Sequence, residues 1–159
     1  MIAFKQTAVM VLLVAGLIMA NTAQAAGTDA QQETHGTNNK PGATYVPGDK
    51  GPHGGKVYFV DASGEHGLEA QAADEITSLV WDDAVSAAGA YGSGWHLPTK
   101  SELKMLYEQR TVVGGFAKDD YWSSTELDSN SAWIQGFANG DQDRYNKYSK
   151  LSVRAVRAF

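Results

Sequence analysis

The chain contains no cysteine. That absence removes a disulfide framework, a cysteine-based zinc site and a thiol nucleophile at once. It matters because the first residues read as a secretory leader. Lys5 supplies a positive start, Ala8 to Ala20 an apolar run, and Ala23-Gln24-Ala25 small residues for cleavage, so residues 1–25 are expected to be a signal peptide. The run is shorter than the ~20 residues that a bilayer span needs, so no membrane partner is expected after cleavage. The expected location is secreted, periplasmic or at the cell surface. A lipid anchor at the cleavage site is excluded, since it requires a cysteine. An exported chain that forgoes disulfides must take its stability from a packed core.

Residues 26–43 hold almost nothing that can be buried and read as a flexible spacer, with His35 solvated inside it. Residues 44–159 are expected to form one domain, long enough to bury a single core. The 13 Lys+Arg stand against 18 Asp+Glu, a net charge of -5. An acidic balance of this size disfavours a nucleic-acid partner, which needs clustered basic side chains.

Within the domain, Lys56 to Val60 is rich in β-branched and aromatic residues and predicts a strand, with Leu68 to Ala72 returning as its hairpin partner. A helix follows from about Leu79 to Tyr91, with Val80, Ala84, Val85 and Ala88 on its inner face and Asp82 and Asp83 outward near its N-terminus. Thr99 and Glu102 form a capping-box pair ahead of the stripe Leu103, Leu106 and Tyr107. Trp95 and His96, just before that helix, are expected in the core. Tyr121 to Thr125 and Ala132 to Phe137 read as strands, with Trp122, Trp133 and Phe137 as core residues, and Asn139-Gly140 as a hairpin-type turn. Residues 141–150 read as a polar loop. Residues 151–159 read as a final strand, with Leu151, Val153 and Ala155 inward, Ser152 and Arg154 outward, and Phe159 docked in the sheet. The order of elements gives an α+β domain: two helices, short mixed or antiparallel sheets and long loops.

Several of these segments form a recognisable series: Gly48 to Val57, Trp81-Asp82-Asp83-Ala84-Val85, Leu97-Pro98-Thr99, Tyr121 to Glu126, and Val153 to Phe159. Together they resemble the Lcl C-terminal domain family over residues 45–159. The resemblance implies a C-type-lectin-like fold, related to the formylglycine-generating enzyme group, with irregular loops as its binding face. It also implies ligands of two kinds. The adhesin that gives the family its name has a domain associated with sulfated glycans. Other proteins of this fold are receptors diversified by retroelements, with Asn, Asp, Ser, Tyr and Arg at the varied positions.

Residues 128–131 and 141–149 have that composition. The expected ligand-binding residues are Asp128, Asn130, Asp141, Asp143, Arg144, Tyr145, Asn146 and Tyr148. Tyr and Arg are rigid or forked interface anchors, and Asp and Asn add adaptable hydrogen bonds, as in antibody paratopes. A sulfated glycan would instead use Arg144, Lys147 and Lys150. Catalysis is not expected: the formylglycine-generating enzymes depend on cysteine, and no Gly-x-Ser-x-Gly, phosphate loop or His-Glu-x-x-His is present. Asp119-Asp120 read as solvated acids. No metal or cofactor is expected. Calcium stays open as the alternative, because Asp141-x-Asp143 begins like a calcium loop, although Tyr145 follows and no Glu closes it. The expectation is an exported, non-catalytic receptor- or adhesin-like protein whose partner is a protein or glycan at the cell surface.

Overall fold

The computed structural model describes residues 42–159. The leader, most of the spacer and His35 lie outside the described residues. Strand β1 (Lys56–Val60) pairs antiparallel with β2 (Gly67–Ala70), as expected, and β6 (Val156–Ala158) pairs with the other side of β2. The second sheet has the order β3 (Asp120–Glu126), β4 (Ser131–Gly136), β5 (Gln142–Asn146), also antiparallel. Helices α1 (Trp81–Ala90), α2 (Lys100–Glu108) and the short α3 (Arg110–Val113) lie between β2 and β3 in the chain. The architecture is the expected α+β one, with α3 added.

Helix α2 forms where the capping box predicts. The Thr99 hydroxyl accepts from the Glu102 N–H at 3.3 Å, and Glu102 Oε2 accepts from the Thr99 N–H at 2.8 Å. Helix α1 has no side-chain cap at Val80. It is held by Ala84 and Ala88, both fully buried, whose small size lets it approach the second sheet closely. Val85, expected inside, is 38% exposed.

The second sheet separates two apolar clusters, because neighbouring strand residues point to opposite faces. Trp122, Ala132 and Ile134 face α1 and pack with Leu97, Leu151 and Val153. Tyr121 and Phe137 face the other way, toward Leu103 and Leu106 of α2 and Tyr58 of β1. Trp122 and Phe137 are therefore core, as expected. Trp133 is not: it is only partly buried, with the Lys100 ammonium 3.0 Å from the centre of its ring. His96 is likewise outside the core. Its Nε2 lies 3.3 Å from the Glu102 carboxylate and its Nδ1 3.2 Å from the Gly94 carbonyl, while Trp95 is buried as expected.

The final segment departs furthest from expectation. Only Val156–Ala158 is strand, although Phe159 does dock, exchanging main-chain hydrogen bonds with Gly67. Leu151 and Ser152 make isolated bridges instead. Arg154, expected outward, is 1% exposed. Its Nε donates to Asp74 Oδ1 at 2.6 Å, Nη1 to the Gln71 carbonyl at 2.8 Å and Nη2 to the Gly115 carbonyl at 2.5 Å, with Phe116 covering the guanidinium at 4.0 Å. Tyr121 also donates its hydroxyl to Asp74, and burial followed by that carboxylate raises its pKa. One ionic network thus ties together three stretches of chain, a task that disulfides perform in many exported domains.

A second buried acid organises the glycine-rich loop ahead of β1. Glu69 is fully buried and accepts from the His53 N–H at 3.1 Å, the Gly55 N–H at 2.8 Å and the His53 ring at 2.6 Å. A Cβ at Gly55 would lie 2.6 Å from the Ala70 carbonyl and 3.0 Å from this carboxylate, so only glycine fits there.

Candidate functional site

Strand β5 lies where a polar loop was expected, and its alternation decides which side chains meet. The Gly136 N–H donates to the Asp141 carbonyl at 2.8 Å and the Lys147 N–H to the Asn130 carbonyl at 2.9 Å. Odd-numbered positions of β5 therefore turn their main-chain groups toward β4. Gln142, Arg144 and Asn146 turn theirs outward. Asp143 pairs with Ile134 and Tyr145 with Ala132, so both side chains lie on the sheet face that carries Trp122. Arg144 pairs with Trp133 on the reverse face.

The first face holds a shallow pocket of about 190 Å³, lined by Asp120, Ile134, Gly136, Asn139, Asp141, Asp143 and Tyr145. The Tyr145 ring stands edge-on to Trp122 at 6.5 Å between centres and is 45% exposed. Asn139 Nδ2 donates to Asp141 Oδ2 at 2.7 Å, and Asp143 Oδ1 accepts from the Arg144 N–H at 2.7 Å. Asp120 titrates above the usual carboxylate range, first because it is partly buried and then because Asp119 and Asp143 repel its charge. Among the described residues no group of three or more His, Asp or Glu side chains is arranged to hold a metal ion.

The eight expected site residues therefore fall into three groups. Asp141, Asp143 and Tyr145 share the pocket. Asp128, Asn130, Asn146 and Tyr148 gather at the end of the sheet where the β3–β4 turn meets the chain leaving β5. There Asp128 Oδ1 accepts from the Asn130 N–H at 2.8 Å and Asn146 Oδ1 from the Tyr148 N–H at 2.9 Å, so both acids and amides build turns. The Asn130 hydrogen bond, with help from Ser131 and Lys147, holds Asp128 below the usual carboxylate range. Tyr148 is 81% exposed. Arg144 stands apart from both groups.

Asp120 and Asn139 belong to the pocket but were not anticipated. The signal for Asp120 was register: it pairs with Gly136, whose missing side chain leaves the space that Asn139 and Asp120 border. Lys147, considered as a sulfate partner, is committed elsewhere. Its ammonium contacts Glu126 and lies 4.3 Å from the centre of the Trp81 ring, and its side chain is only 11% exposed.

Residues 67–157, more than half of the chain, match the sequence profile of the Lcl C-terminal domain. The chain belongs to the Lcl C-terminal domain family. The matched span opens at Gly67, so β1 and the glycine-rich loop that cradles Glu69 precede it, whereas the sequence resemblance extends from residue 45. No curated protein matches the chain. Among solved structures, botrocetin is similar at 14% identity, with a TM-score of 0.38 over 59% of this chain and 89% of botrocetin. The snake venom toxin convulxin is similar at 11% identity, with a TM-score of 0.42 over 65% of this chain and 93% of convulxin. The pocket and β5 both lie inside the span that identifies this Lcl-type domain.

Proposed function

We propose that this Lcl-type domain is an exported, non-catalytic binding module that takes a protein ligand on the β5 side of its second sheet, at the cell surface or in the periplasm. The observation that carries this reading is the pocket beside Tyr145, where carboxylates, an amide and an exposed aromatic ring converge on a rigid sheet. Loops rarely give such fixed geometry; strands do. The site needs no cofactor in this reading.

The same surface suits diversification by a retroelement. The side-chain bonds of Asp143 and Asn146 run to N–H groups one and two residues away, so exchanging the outward residues would leave the core untouched. Sequencing this gene from many isolates tests the idea. Substitutions should concentrate at 143, 144, 145 and 148 while Trp122, Ile134 and Leu151 stay constant. An even scatter removes the diversified-receptor reading. For any ligand isolated, Tyr145→Ala should weaken binding at least about tenfold, the cost typical of an interface anchor.

One observation favours a sulfated glycan as a second reading. Trp133, Lys100 and Arg144 lie together on the reverse face. Binding of dextran sulfate through those cations should fall steeply with salt and be lost in the Lys100→Ala, Arg144→Ala double variant. Salt-insensitive binding excludes it.

A further inference from the structure

The two sheets have four outer edges, and the chain's own backbone closes three of them. Beside β1, Val57 donates to the Asp49 carbonyl and Gly48 donates to the Val57 carbonyl. Beside β6, His96 and Val156 exchange hydrogen bonds at 2.9 Å. Beside β3, Trp122 donates to the Ser152 carbonyl and Ser124 to the Pro98 carbonyl. The fourth edge belongs to β5. No main chain from elsewhere among the described residues pairs with it. Gln142, Arg144 and Asn146 turn their main-chain groups outward, where the Asn146 carbonyl accepts only from the nearby Ser149 N–H at 2.9 Å and the Gln142 side chain donates to the Lys100 carbonyl at 3.0 Å. An open edge of this kind is a template for another strand.

The edge carries its own temporary stopper. The outward N–H of Arg144 is satisfied by the carboxylate of Asp143, its neighbour. An incoming strand would offer that N–H a carbonyl and release the carboxylate on the pocket side. The pocket then holds Asp120, Asp141 and Asp143, and no Lys, Arg or His lines it. Its volume of about 190 Å³ lies below the range of ~300–1,000 Å³ for drug-sized ligands and suits a single side chain. Tyr145 and Ile134 provide an apolar wall for a methylene stem, and Tyr145 a ring face for a cation.

Resting on the binding reading above, we propose that β5 accepts an extended segment of a partner protein as a further antiparallel or parallel strand, with a Lys or Arg side chain of that segment seated in the acidic pocket. A bound cation would relieve the repulsion from Asp119 and Asp143 that adds to burial in raising the Asp120 pKa.

The test selects a display library of random linear peptides on the full chain. Enriched peptides should share a Lys or Arg flanked by alternating β-forming residues. On binding, the amides of Gln142, Arg144 and Asn146 should gain protection from hydrogen exchange. Arg144→Pro should bind at least about tenfold more weakly than Arg144→Ala, because the ring blocks the edge while the N–H it removes does not belong to the β4 ladder. Should Arg144→Pro misfold, the same peptides methylated at alternate amide nitrogens provide the second measurement, with the same loss expected. No enriched peptide, no basic preference, or equal binding by the two variants overturns strand addition. So does a dimer of the chain that forms through β5 in place of peptide binding. If Tyr145→Ala weakens a ligand and Arg144→Pro does not, strand addition falls and the binding reading stands; if neither matters, both fall.

Discussion

Arg144 and Arg154 carry the same guanidinium on neighbouring stretches of chain, and the structure uses them in opposite ways. Arg154 is buried and meets Asp74, the Gln71 and Gly115 carbonyls and the Phe116 ring. Arg144 is exposed on the last strand of its sheet, and its recorded hydrogen bond is from its own N–H to the residue beside it. The difference lies in how many distant segments converge on the side chain. Where several converge, a polar residue works as a cross-link and tolerates no exchange. Where every bond is local, the same residue type is free to serve recognition.

The largest test of this contrast is Arg154→Met. It leaves Asp74 without its charge partner and the Gln71 and Gly115 carbonyls without the guanidinium donor, and should cost about 3–5 kcal/mol in chemical denaturation. A loss below about 1 kcal/mol would erase the distinction. Glu69→Ala should come next, at about 2–3 kcal/mol, because the His53 and Gly55 N–H groups lose their buried acceptor. The pair His96 and Glu102, half-exposed and local, sits between the extremes. Both His96 ring nitrogens face acceptors, the Glu102 carboxylate above all, which raises its pKa. Its contribution is full below the unfolded value of 6.5 and is lost as pH rises through the higher folded value. Glu102 resists the upward push of burial and is held down to about 2 by its bonds to His96 and Thr99, so its contribution is full above 4.5 and fades as pH falls toward 2. His96→Gln should therefore flatten the stability profile above pH 6.5, and an unchanged profile would show the ring to be a bystander. Arg144→Ala should shift stability least, by no more than about 0.5 kcal/mol in thermal unfolding.

Local chemistry made part of this legible in advance. Thr99 and Glu102 announce α2 because the cap and the acid that answers it lie within one turn. The apolar run at Lys56–Val60 announces β1 for the same reason. Strand β5 was hidden: Gln142 to Asn146 has polar residues on both faces, so no alternation marks it, and only its partner β4 makes it a strand. Trp133 reads as core by residue type, yet its face of the sheet ends beside Lys100 instead of under a helix. Arg154 reads as outward by counting alternate residues from Leu151. The count fails because the chain there makes isolated bridges, and the groups that bury the guanidinium come from segments no local pattern connects to it. The site was legible in composition and not in geometry, since Asp120 and Asn139 join the pocket through register alone.

The Arg154 network also sets an order of events. Its partners Asp74 and Gln71 lie 80 and 83 residues earlier in the chain, and β2 waits equally for β6. Contacts of such long sequence separation form late and slowly. A nascent chain synthesised as far as β5 holds the second sheet and the acceptors but neither the guanidinium nor β6, so the first sheet lacks its third strand and the network its donor. The network and the first sheet are therefore complete only once residues 154–158 have been made.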